Sequence, residues 1–70
     1  MNTIEIGIFS TNLVISKNRK LHNLEFDGQQ GLFTRDEWVN EDLQDYNKEE
    51  QEIILSALES TYNGNFFADS

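Results

Sequence analysis

A change of hydrophobic period near residue 34 divides this chain into two kinds of structure. Before it, apolar residues recur at every second position. Ile4, Ile6 and Ile8 fall on one face and Thr3, Glu5, Gly7 and Phe9 on the other, the pattern of a strand buried on one side. Ser10-Thr11-Asn12 is a turn cluster whose three residues suit a hairpin with a bulge. Leu13-Val14-Ile15-Ser16-Lys17 follows as a second strand with β-branched residues at its centre. Asn18-Arg19-Lys20 makes another polar turn, and His22, Leu24 and Phe26 alternate once more. The strands are expected at about 3–9, 12–17 and 21–26, and connections this short favour an antiparallel meander over a parallel sheet. Asp27-Gly28 and Gln29-Gln30-Gly31 then read as loop.

After the change the period is 3.6. Thr34-Arg35-Asp36-Glu37 fits a capping box, with Phe33 and Trp38 placed to close a hydrophobic staple around it. A helix is expected over 35–46, its apolar arc of about 140° formed by Trp38, Val39, Leu43 and Tyr46. Asn47-Lys48-Glu49-Glu50 is a second, weaker capping signal that opens a helix over 48–62, and Asn63-Gly64 supplies a left-handed end. Ile53, Ile54, Leu55, Ala57, Leu58 and Tyr62 cover about 200° of that helix, more than one small sheet needs. The tail 65–70 carries Phe66-Phe67, and at least one of the two is expected to dock, since burial of each is worth roughly 1.5–3 kcal/mol. The fold class is therefore α+β: one domain over 1–70, a small three-stranded antiparallel sheet followed by two helices packed on one face, in the order β-β-β-α-α.

Composition narrows the chemistry. The chain has 70 residues, no cysteine, no proline and one histidine. No thiolate can ligate a metal or act as a nucleophile, and a single imidazole cannot build a zinc site. No nucleotide-binding glycine loop and no serine-nucleophile elbow is present. Started at Asp42 or at Asp45, the acidic segment departs from a calcium-binding loop, because position 6 is Asn47 or Glu50 instead of glycine. No catalytic residue, cofactor or metal is expected, and the chain is read as a non-enzyme. Nothing resembles a secretory leader or a membrane span, so the cytoplasm is the expected compartment.

Charge is the feature that bears on function. Residues 1–35 carry three acids and four bases, residues 36–70 ten acids and one base, so the halves stand at +1 and −9 within a net charge of −8. The acidic half disfavours direct contact with nucleic acid or an anionic membrane and suits a basic protein partner. On the first expected helix Glu37, Glu41 and Asp45 follow at i, i+4 and i+8 with no base between them, a ridge with about 6 Å between charges. Like charges at this spacing cost roughly 0.2–0.5 kcal/mol per pair. On the second helix Glu49, Glu52 and Glu59 share the polar side. These six acids are the expected partner-binding residues. In size and charge the chain is similar to small acidic proteins of phages and mobile elements that inhibit nucleases, restriction enzymes or CRISPR complexes, a likeness that carries over no individual residue.

Two functions follow as expectations. One is an inhibitor or adaptor that covers a basic protein surface such as a nucleic-acid-binding site by mimicking the charge of DNA. The other is an assembly module forming a homodimer through the broad apolar face of the last helix and the Phe66-Phe67 tail. Where the surplus apolar surface goes decides between them. Lys17, Arg19 and Lys20 form a small basic turn that edge protection alone would explain.

Overall fold

The computed structural model describes residues 4–70 and has the expected β-β-β-α-α order, with strands β1 (Glu5–Phe9), β2 (Asn12–Lys17) and β3 (Lys20–Glu25) and helices α1 (Arg35–Glu41) and α2 (Lys48–Thr61). Thr3, expected at the start of the first strand, lies outside the described residues. The sheet runs β1-β2-β3, both pairs antiparallel.

Both hairpins are tighter than expected. Phe9 pairs with Asn12 and Lys17 with Lys20, so each loop has two residues and the first hairpin carries no bulge. Positive φ replaces the bulge: Ser10 at 57° in the first loop, Asn18 at 54° and Arg19 at 64° in the second. Two-residue loops of this kind match the right-handed twist of the strands they join.

Register places Ile6, Ile15 and His22 in one row and Ile8, Leu13 and Leu24 in the next. That face carries the core. Leu13 and Ile15 are buried with Ile54 and Leu58 of α2 above them, and Ile4, Phe26, Trp38, Leu43, Phe66 and Phe67 complete the cluster. The other face, with Phe9, Val14 and Leu21, stays open to solvent; Phe9 and Leu21 are among the most exposed apolar residues.

The tail is part of the core. Phe66 is fully buried and Phe67 nearly so. Phe66 sits edge-on to Phe26 and Phe67, with centroids 5.3 and 5.1 Å away, and 5.5 Å from Trp38, the geometry aromatic quadrupoles prefer. Backbone bonds tie the tail down: Gly31 N–H donates to the Phe66 carbonyl and Ala68 N–H to that of Phe33. Both phenylalanines dock, and they do so within one chain.

The largest departure concerns α1. It was expected over 35–46 and ends at Glu41, with Asp42 as C-cap. Its last turn has no base, and a longer helix would stack Glu41, Asp42 and Asp45 at the negative end of its dipole. The chain leaves the helix so that Leu43 reaches the core while its N–H donates to the Trp38 carbonyl. The Gln51 side chain then takes over from the missing helical bonds, donating to the carbonyls of Leu43 and Tyr46 at 2.9 Å each. At its other end α2 closes as expected: Asn63, at φ 55°, donates to Ser60 and Gly64 to Glu59, the paired bonds of a Schellman motif.

Candidate partner-binding face

Charge neutralisation inside the molecule is confined to a few places. Among the described residues there are three ion pairs, Lys17–Glu50 at 2.9 Å, Arg35–Asp69 at 3.0 Å and Arg35–Glu59. Arg35 also lies over the Phe67 ring, 5.0 Å from its centroid. Its hydrogen bond to Glu59 holds the guanidinium above its ordinary pKa, desolvation opposing and the charges of Glu59 and Asp69 adding. Arg35 thus commits two of the ten acids of the second half to structure, and Lys17 commits a third.

The six expected binding residues fall into five situations. Glu37 is exposed at the first turn of α1, where it accepts from Thr34 N–H at 2.8 Å while Thr34 Oγ1 accepts from Glu37 N–H. Glu41 is exposed at the end of α1. Glu49 and Glu52 are exposed on the outer side of α2, bordering a shallow, open surface with Ile53, Ser56 and Ala57. Glu59 is half-buried and held by Arg35. Asp45 departs from the expectation. With α1 ending at Glu41 it lies in the connection to α2, beside Lys17, Lys20, His22 and Tyr46. The expected continuous ridge of Glu37, Glu41 and Asp45 is therefore broken: the first two stay together and Asp45 turns toward the basic hairpin.

Asp42, the α1 C-cap, takes the place that Asp45 leaves. Glu37, Glu41 and Asp42 border one small depression of about 150 Å³ with Gln29, Phe33 and Trp38. No sequence pattern marks Gln29, and Asp42 matches only the first position of a calcium loop that the following residues do not complete.

Glu50 is the residue that pattern reading placed correctly and underrated. It is the third residue of α2 and completes the second capping box, accepting from Asn47 N–H at 3.0 Å while its own N–H donates to Asn47 Oδ1 at 2.8 Å. It is also 1 % exposed, and the same Oε1 accepts from Lys17 Nζ of β2 at 2.9 Å. The Lys17 bond and then the Asn47 N–H hold its carboxyl below the usual range against the opposing pull of desolvation. Lys17 in turn stands 5.3 Å from the centre of the Tyr46 ring. Burial raises the Tyr46 hydroxyl above its ordinary pKa, with Lys17 opposing.

Among the described residues no three His, Cys, Asp or Glu side chains are grouped so as to hold a metal ion, and no helix is long and apolar enough to cross a membrane. No family model, curated protein or solved structure matches this chain.

Proposed function

We propose that this protein is a non-enzymatic binder of a basic protein surface, acting as an inhibitor or adaptor that occludes a nucleic-acid-binding site, in the manner of phage and mobile-element anti-defence proteins. The observation that carries the reading is where the surplus apolar surface goes. Ile54, Leu58, Phe66 and Phe67 are at most 2 % exposed in the single chain, with Ile53 left 38 % exposed, so most of the apolar face that a homodimer through α2 and the tail would need is buried inside the monomer. What α1 and α2 offer outward is Glu41, Asp42, Glu49 and Glu52, which have no ion-pair partner among the described residues. Uncompensated charge of one sign raises the association rate with an oppositely charged surface.

The test is capture from cell extract at low and high salt, comparing the parent with the triple variant Asp45→Asn, Glu49→Gln, Glu52→Gln. Basic proteins recovered by the parent at low salt, lost to the variant and displaced by added DNA, are the expected result. The same proteins bound by both forms with the same salt dependence would remove the acids from the explanation.

A further inference from the structure

β3 is an open edge of the sheet. The order β1-β2-β3 gives it one neighbour, α2 lies against β1 on the far side, and every residue of β3 except Leu24 is exposed. Leu21 stands 73 % exposed, more than the other large apolar side chains Phe9, Leu32 and Ile53. Edges of this kind are usually blunted by a bulge, a proline or charge along the strand. β3 keeps an unbroken register with β2 from Lys17–Lys20 to Asn12–Glu25, the chain has no proline, and the charges of β3 sit only at its two ends, Lys20 and Glu25.

The register fixes which backbone groups are free. Phe26 N–H donates to the Thr11 carbonyl, toward β2, and successive residues of an antiparallel strand alternate between bonding to one neighbour and facing away from it. Lys20, His22 and Leu24 therefore bond to β2, and Leu21, Asn23 and Glu25 turn their N–H and C=O groups outward.

Charge selects the strand that fits there. Arg19 and Lys20 stand at the start of β3, Glu25 and Asp27 at its end, so this edge runs from base to acid and has no net charge in a protein of −8. It can approach its own copy without the like-charge repulsion that the helical acids impose. An antiparallel second β3 sets the basic end of each strand against the acidic end of the other; a parallel one sets base on base and acid on acid. β1, the other edge, has Glu5 as its one charge and offers no such match.

We infer that β3 pairs antiparallel with β3 of a second copy, joining two three-stranded sheets into one about a two-fold axis at His22. In that register Leu21 of each chain exchanges main-chain bonds with Asn23 of the other, and Arg19 lies opposite Glu25 of the second copy, twice by symmetry. Both copies turn the same face to the same side, so the open face with Phe9, Val14 and Leu21 becomes continuous across the dimer. The pairing uses neither α2 nor the tail and stands independently of a basic partner.

Sedimentation of the intact protein over a concentration series should show a reversible dimer. Arg19→Glu and Glu25→Arg each put like charges opposite one another and should weaken it about tenfold. The double variant restores both pairs in reverse and should dimerise nearly as the parent does, which damage to the turn alone would not allow. The chain has no cysteine, so His22→Cys places a single thiol at the axis, in a non-hydrogen-bonded pair whose side chains come within disulfide reach. Mild oxidation should link that variant into a covalent dimer and leave Ser56→Cys, on the exposed side of α2, largely unlinked. A parent that remains a single chain up to about 1 mM, a dimer indifferent to both reversals, a double variant no better than the single ones, or equal cross-linking of the two cysteine variants would each overturn the pairing. Glu49 and Glu52 are untouched in all of these variants, so capture of a basic protein is read separately.

Discussion

The two capping boxes of this protein have the same local chemistry and different surroundings. At Thr34-Glu37 and at Asn47-Glu50 a short polar side chain accepts from the third helical N–H, and the glutamate three residues on returns a bond to the cap. Glu37 does this in solvent. Glu50 does it 1 % exposed, with Lys17 of the central strand sharing the same oxygen. The first box caps the start of α1 and does no more; the second caps the start of α2 and also fastens α2 to the sheet, across 33 residues of sequence. A motif that is worth a cap in one place becomes a tertiary joint in the other, and the difference lies in what the fold brings alongside.

The sharpest way to break this comparison is Lys17→Met. It removes the ammonium and leaves a buried carboxylate, a situation that costs far more than losing a surface pair. Thermal melts at neutral pH should show a drop of about 10–20 °C, given roughly 4–8 °C per kcal/mol for a domain of this size. The pH slope should flatten as well. In the parent, the lowered Glu50 pKa means that its contribution is fully present above about pH 4.3, the ordinary glutamate value, and is lost as pH falls through the lower folded value. In Lys17→Met the larger of the lowering causes is gone while the Asn47 N–H still outweighs desolvation, so the depression of the carboxyl shrinks and the loss of stability toward acid pH should be shallower than in the parent. A variant with the parent's pH profile would show that the joint is not electrostatic.

Glu50→Ala comes next. It deletes the cap bond and the ion pair, yet Lys17, 24 % exposed, can turn its head group to water. A melting point about 10 °C below the parent is expected, and a smaller effect than Lys17→Met would locate the main penalty in the stranded carboxylate. Asn47→Ala removes the cap acceptor of α2 while sparing the Glu50–Lys17 bond; denaturant titration should show a loss of about 1–2 kcal/mol. Thr34→Ala makes the equivalent change in the exposed box and should cost about 0.5–1 kcal/mol. If these last two losses come out equal, the buried joint adds nothing to its cap and the comparison collapses to local chemistry.

The helical acids divide along the same line. Glu37, Glu41, Glu49 and Glu52 were legible as exposed because they sit opposite apolar positions of a 3.6 pattern. Glu50 matched a capping signal, but nothing adjacent in sequence said that a lysine of β2 would meet it. Gln29 and Asp42 were not legible as site residues, since a depression exists only once loop 27–33 and the end of α1 are packed together. Asp45 fits a ridge only on a helix one turn longer than α1. The apolar spacing of Leu43 and Tyr46 fits a helix, but Leu43 reaches the core by leaving it.

By itself the sequence determined the elements, both helix starts and the end of α2: three strands from period two, two helices from period 3.6, two boxes and one left-handed terminus from residues three or four apart. These follow from backbone geometry and nearest-neighbour hydrogen bonds, which are encoded within a few residues. The tertiary structure alone decided the rest. It stopped α1 at Glu41, because burying Leu43 and capping α2 at Asn47 outweighed one more turn of acid-laden helix. It drew Phe66 and Phe67 into an aromatic cluster with Phe26 and Trp38, and it buried Glu50 against Lys17. Each of these joins residues far apart in the chain, and their free energy depends on desolvation and packing that exist only after the layers have closed.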